Sequence, residues 1–262
     1  MKPAGLLVLA VATVPVQAAA PVPQALTRPL GVVQGAVVRA RLPEPGHDLS
    51  IDGRPVPVAP DGRFLLGIDR DATGSALLAF TARDGRLVRW PVAIAARSWQ
   101  IDRMPARLLR PGPPDPVYDR LRTAETGAIK AARAELTPHP FWQATWRLPV
   151  GGRISGVFGS QRIYGDTPAA FHGGLDIAAP AGTAVTAPAP GIVRLAQGPL
   201  SLEGNVVILD HGFGLHSAFL HLSRIDVRPG RIVRQGEVIG AVGTTGRSTG
   251  PHLHWGMTWT PD

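Results

Sequence analysis

The chain has 262 residues, 44% hydrophobic and 18% charged, which excludes a disordered or collagen-like polymer and allows one or two domains with real cores. It has no cysteine, which excludes disulfide frameworks, thiolate metal sites, iron–sulfur clusters and cysteine nucleophiles. Lys and Arg outnumber Asp and Glu by 27 to 19, a formal charge of +8, and Lys2 and Lys130 are the only lysines.

At the N-terminus, Lys2 precedes an apolar run over residues 5–14 and an A-x-A-like site at Val16-Gln17-Ala18. Residues 1–20 therefore read as a cleaved secretory signal peptide. The run is shorter than the ~20 apolar residues of a bilayer span, and Pro15 interrupts it. The mature chain is expected to be exported, to the periplasm or to the cell wall and medium, with no transmembrane segment.

Residues 21–100 read as a small β-sandwich-like module. Val32, Val33, Val37 and Val38 are β-branched, residues 64–68 and 76–82 are apolar strand candidates, and Asp52-Gly53, Asp61-Gly62 and Asp84-Gly85 are turn signals. Its one histidine, His47, is expected on a solvated loop. Residues 101–140 form a linker with a connector helix. A breaker-rich stretch (residues 110–116) leads into a helix over 116–136, with Asp115 as N-cap and Pro116 in its first turn. Val117, Leu121, Ala124, Ala128, Ala132 and Leu136 recur at helical spacing and predict its packing face. Residues 141–262 are again β, with strands expected over 191–196, 205–209, 215–221 and 231–240. The Gly-rich stretch at 243–250 lacks the Lys of a phosphate-binding loop and reads as a bend that delivers the next strand. The fold class is all-β: an antiparallel β-sheet domain at the C-terminus, a small β-sandwich-like module before it and one connector helix.

The chemistry concentrates in four of the eight histidines and one aspartate. In His172-Gly173-Gly174-Leu175-Asp176 the offset of four puts imidazole and carboxylate on one side of an extended chain, and the glycines let the backbone bend them together. In His252-Leu253-His254 the offset of two puts both rings on one strand face. His221 falls on the face shared by Leu215, Ser217 and Phe219. Without thiolate, zinc takes imidazole nitrogen and carboxylate oxygen, and a catalytic site keeps three protein ligands and an open position for water. His172, Asp176 and one of His252 and His254 meet that need, leaving two histidines for acid, base or hydrogen-bond work. His211 reads as structural, and His139, between prolines, as a linker residue. An odd offset turns His216 away from His221 on a regular strand. Trp255 and Trp259 read as buried strand aromatics, with the lining of a substrate groove as the alternative, and Gly159, Gly174 and Gly250 as backbone geometry near the site.

Residues 141–255 resemble the lysostaphin-type zinc endopeptidases, which cut peptide bonds in bacterial peptidoglycan. The matching stretches are 153–159 (RISGVFG), 172–178 (HGGLDIA), 182–187 (GTAVTA), 191–193 (GIV), 204–212 (GNVVILDHG), 221–223 (HLS) and 243–255 (GTTGRSTGPHLHW). The resemblance implies one Zn²⁺ per chain held by His172, Asp176 and His254, with His252 as the expected general base, while the sequence leaves open which of His221 and His252 takes the proton. His221 would be the second catalytic histidine, orienting water or stabilising the oxyanion. It implies an exported zinc-dependent endopeptidase acting on peptidoglycan cross-links or stem peptides, with glycine bridges and D-Ala–diaminopimelate bonds both open. The alternative is a non-enzymatic activator of other wall hydrolases, which the five intact polar positions disfavour. Relatives continue past the last histidine motif with a strand or short tail, so the pairing of this chain's last strand is left open. The arginines are spread along the chain, so no nucleic-acid partner is expected, only non-specific attraction to anionic wall polymers.

Overall fold

The computed structural model describes residues 30–108 and 115–261. The expected signal peptide and most of the breaker-rich stretch lie outside the described residues. Among the described residues no helix is long and apolar enough to cross a membrane.

The N-terminal strands are β1 (Leu30–Val33), β2 (Val37–Arg41), β3 (Gly46–Ile51), β4 (Arg54–Pro55), β5 (Arg63–Gly67), β6 (Ser75–Ala82) and β7 (Leu87–Ala95). A five-stranded sheet in the order β1-β7-β6-β3-β4 faces the β2–β5 ribbon. Between them lie Leu49, Phe64, Leu66, Leu78, Phe80, Val88 and Val92. Alternation along β6 buries Ala76, Leu78, Phe80 and Ala82 and turns the residues between them outward, the signature of a sheet buried on one face. The three Asp-Gly pairs occupy turns, with Gly53, Gly62 and Gly85 at φ of 82°, 80° and 84°. His47 lies within β3, not on a loop; its ring is exposed beside Asp48. The register of β3 against β6 shifts there, which frees the ring from the ladder.

β8 (Ile101–Met104) follows, then helix α1 (Pro116–Arg133). The Asp115 side chain accepts from the Val117 and Tyr118 N–H groups, and a proline occupies the first turn, as the sequence indicates. The helix ends three residues earlier than expected, and its docking face differs. Val117 and Leu121 are exposed, and the contact is made by Arg122, Glu125, Ile129 and Ala132. Arg122 grips Glu203 with two hydrogen bonds (2.7 and 3.1 Å), and Glu125 accepts from Ser201. Ala132 of the expected stripe keeps its place in the contact, while Val117 and Leu121 do not.

The remaining strands are β9 (Arg153–Gly156), β10 (Gln161–Tyr164), β11 (Thr167–Pro168), β12 (Gly174–Ala178), β13 (Ala184–Thr186), β14 (Gly191–Leu200), β15 (Gly204–Asp210), β16 (Leu215–Leu222), β17 (Arg224–Ile225), β18 (Ile232–Val233), β19 (Val238–Ala241) and β20 (His252–Trp259). The strand expected over 231–240 is split into β18 and β19, with Gly236 at φ 81° between them. An antiparallel seven-stranded sheet runs β18-β14-β15-β16-β20-β12-β9, and β13-β19-β17 pack across one of its faces. Ile177, Val193, Val207, Leu209, Phe219 and Leu253 fill that inner face with Ile239 and Val242. The other face meets Ile129 and Ala132 of α1 through Leu195, Val206, Ile208 and Ala218. The last strand, β20, is paired on both sides, by β12 and β16.

Candidate metal centre

The register of two strands builds the site. β12 and β20 pair antiparallel with Asp176 opposite His254 and Ala178 opposite His252. Directly paired residues share a face, as do residues two apart, so one carboxylate and two imidazoles stand together on the outer face. Leu253 and Ile177, between them, point into the core. His172 enters from the loop before β12: its N–H donates to Ser160 O (2.8 Å) and its Nδ1–H to Val157 O (3.0 Å). That bond leaves the Nε2 lone pair facing the cluster.

His172 Nε2 lies 3.0 Å from Asp176 Oδ1 and 3.0 Å from His254 Nδ1, and His254 Nδ1 lies 2.9 Å from Asp176 Oδ1. Three acceptor-capable atoms crowded in a triangle cannot all be satisfied by protons, since the two nitrogens would then face each other as donors. A cation resolves the conflict. Tetrahedral bonds of about 2.0–2.1 Å to zinc have edges of roughly 3.3–3.4 Å, close to these separations. The donor set fits a metal of the zinc type, and His172, Asp176 and His254 could hold it.

Burial works to raise the Asp176 pKa, but the close contacts with the His172 and His254 rings overcome it and hold the carboxyl well below its usual range. The same contact with Asp176 raises the His172 pKa.

The structure places His252 and His221 beside the cluster. His252 Nε2 is 3.8 Å from Asp176 Oδ1, and the His221 ring centroid is 4.9 Å from that of His252 and 6.3 Å from that of His254. His221 reaches this position at a bulge within β16, where the register against β15 shifts. The face shared by Leu215 and Phe219, on which its spacing predicts it, is the buried core. Backbone φ of 63° at His221 turns the ring to the other side instead. The odd-offset argument about His216 fails for the same reason: the register puts His216 on the face of His254, farther along the sheet. His221 Nδ1–H donates to Thr245 O (2.9 Å) and His252 Nδ1–H to Gly250 O (2.8 Å). In the tautomer these bonds select, each ring turns Nε2 away from its carbonyl partner. Burial pushes the His221 pKa down, with help from the neighbouring His252 and His254.

Sequence reasoning missed the carbonyls of Val157, Thr245 and Gly250, because backbone acceptors have no residue-type signal. It also missed Gly156. A Cβ there would sit 2.6 Å from Asp176 Oδ2 and 3.2 Å from His172 Cε1. Gly174 is similarly constrained, with Cβ 2.7 Å from His254 Nε2, whereas a side chain at Gly250 would meet nothing within 4 Å, so its proximity to the site is not a steric need. Gly156→Ala should lower metal affinity about 10–100-fold, the range for groups that orient ligands. Its melting temperature without metal should stay near that of the parent. Competition with a chromophoric chelator measures the first and calorimetry the second. Of the two tryptophans, Trp255 stacks at 6.4 Å on Trp146, and Trp259 packs against Gly67 of β5; both are half-buried.

The family model of peptidase family M23 matches residues 170–261. The DD-carboxypeptidase/endopeptidase Mpg of Neisseria meningitidis is 37% identical over 131 residues, half of this chain and 28% of that protein. The peptidoglycan DD-endopeptidase ShyA of Vibrio cholerae is 40% identical over 116 residues, 43% of this chain and 27% of that protein. The chain thus spans little more than a quarter of the length of these relatives. A crystal structure of a Pseudomonas aeruginosa protein, assigned as a candidate M23 peptidase, superposes with a TM-score of 0.65 at 32% identity. It covers 88% of this chain and 90% of its own, so that likeness extends into the N-terminal strands.

Proposed function

The chain belongs to peptidase family M23, a family of metallopeptidases, and from that premise we propose that it is an exported, zinc-dependent endopeptidase of bacterial peptidoglycan. The observation that carries this reading is the triangle of His172 Nε2, Asp176 Oδ1 and His254 Nδ1 on an open sheet face, with two further imidazoles beside it. The names of the relatives favour a DD bond in the cross-link over a glycine bridge.

Bound at this triangle, zinc supplies a Lewis acid that polarises a peptide carbonyl and makes water more acidic. His172, Asp176 and His254 hold it; their two neutral rings and one carboxylate leave a net positive charge. His252, its Nδ1–H fixed by Gly250 O, takes the proton of the attacking water at Nε2. His221, held neutral by burial and oriented by Thr245 O, accepts a hydrogen bond from the same water at Nε2 and aims it. Protonated His252 then returns the proton to the leaving amine, and the imidazolium left in the interval helps to stabilise the oxyanion.

Digestion of purified peptidoglycan with and without chelator, followed by mass analysis of the muropeptides, tests activity, metal dependence and bond together. Chelation should stop release, and zinc should restore it. Release that ignores the chelator would end the reading. His252→Ala and His221→Ala should keep one zinc per chain by elemental analysis while losing activity by about 10²–10⁴-fold, the range for general acid–base groups. Zinc lost from these two variants as fully as from His172→Ala would overturn the division of roles.

A further inference from the structure

Among its contacts with the metal-centre loop, the N-terminal β-unit places one buried guanidinium. Arg70, just after β5, is only 6% exposed. It donates from Nε and Nη2 to Gly159 O (3.0 and 2.9 Å) and from Nη2 to Gln161 Oε1 (3.1 Å). These partners lie 89 and 91 residues away in the chain. Its Nη1 meets the largely exposed Asp71 carboxylate at 2.5 Å. The guanidinium carbon also sits 5.1 Å from the Trp99 ring centroid and 4.9 Å from that of Phe171. Phe158 closes the group, edge-on to both rings at 5.8 and 5.9 Å.

Two of these partners, Gly159 and Phe171, are tied directly to His172. Gly159 N–H donates to His172 O (2.9 Å), His172 N–H to Ser160 O (2.8 Å), and His172 Nδ1–H to Val157 O (3.0 Å). Phe171 directly precedes His172. Gly159 has φ of 81°, and the Trp99 ring occupies the place a Cβ would take, so this turn admits the tryptophan only because it is glycine. Arg70 therefore grips both arms of the loop that presents His172, the Val157–Gly159 arm by hydrogen bonds and the Phe171 arm by its face. A fork of donors spent on a backbone carbonyl and an amide fixes geometry more than it neutralises charge.

We propose that Arg70 is a positioning residue for His172, so that the N-terminal β-unit completes the metal centre of the C-terminal sheet. The metal consequence rests on the reading of His172 as a ligand; the loop consequence does not. Arg39 provides the control. It joins the same two halves of the chain by donating to Gln143 O (3.2 Å) and Ala144 O (3.1 Å), and it shares no hydrogen bond with the cluster.

The experiment uses the full chain, stripped of metal and then titrated with zinc against a chromophoric chelator. Amide exchange at Gly159 and His172 is followed by NMR in the stripped state. Arg70→Ala should speed exchange at both amides and weaken zinc binding tenfold or more, as for groups that orient ligands. Arg70→Lys, which keeps the charge without the fork, should fall between Arg70→Ala and the parent and serves as the readout if the alanine variant does not fold. Arg39→Ala should leave both quantities within twofold. Unchanged exchange, faster exchange with unaltered zinc affinity, or an equal loss in Arg39→Ala would overturn the proposal. A parent protein that binds no zinc would instead sink the proposed function, and the exchange comparison would still decide whether Arg70 holds the loop.

Discussion

Asp176→Ala should release the metal and lower peptidoglycan hydrolysis by on the order of 10³-fold or more, since the Lewis acid is worth several kcal/mol of barrier. The carboxylate is the only negative charge in the triangle, and both imidazoles point their free nitrogens at it. Without it, two neutral rings remain, too few for a catalytic zinc site. The fold should survive, because Asp176 stands on the outer face, opposite Ile177 and Leu253 in the core. Elemental analysis, circular dichroism and muropeptide release on one preparation check all three claims. A variant retaining stoichiometric zinc would refute the assignment of Asp176 as a ligand.

Acid should destabilise the protein through a second histidine group, away from the triangle. His211 is fully buried, with Nδ1–H donating to Pro190 O (2.7 Å) and Nε2 accepting from the Ser217 hydroxyl (2.7 Å). Burial pushes its pKa down to about 4, opposed in part by the Pro190 carbonyl and Asp210 and reinforced by His216. Burial lowers the neighbouring His216 as well. The sign follows from linkage. Between pH of about 6.5 and about 4 the unfolded chain takes up a proton that the folded site refuses, so stability is complete above this window and falls as pH drops through it. For His211 alone the loss amounts to roughly 3 kcal/mol across the window. His172 acts in the opposite sense, because its pKa is raised: its contribution is complete below about 6.5 and lost as pH rises. Comparison of the parent with His211→Gln cancels that contribution. Urea melts of metal-free protein at several pH values should show a shallower acid slope for His211→Gln, by up to about 1.4 kcal/mol per pH unit, and lower stability at pH 7. Equal slopes would show that His211 protonates in the folded state.

Much of this was legible in the sequence. Asp-Gly turns, period-two apolar strands and the Asp115–Pro116 helix start are local signals, and the structure follows them. The offsets His172 to Asp176 and His252 to His254 place donors on shared faces because strand geometry has a fixed period. Failures came where a distant partner overrides the local pattern. Val117, Leu121 and Leu136 of the apolar stripe expected for α1 stay exposed, and Arg122 and Glu125 dock beside Ala132 through Glu203 and Ser201, partners no periodicity reveals. Alternation puts His221 on the core face because it assumes a regular backbone, and one residue at positive φ reverses it. The contact between Arg70 and Gly159 spans 89 residues, beyond any window of pattern reading.

The seven-stranded sheet separates two kinds of selection. One side of the board supplies cohesion through Phe219, Leu253 and Ile177; the other, beyond the part that α1 covers, carries His252, His254 and Asp176. Residues that alternate along the same strands thus answer to different demands. Reactivity can drift, be lost or be retuned one position at a time while the scaffold beneath keeps its shape.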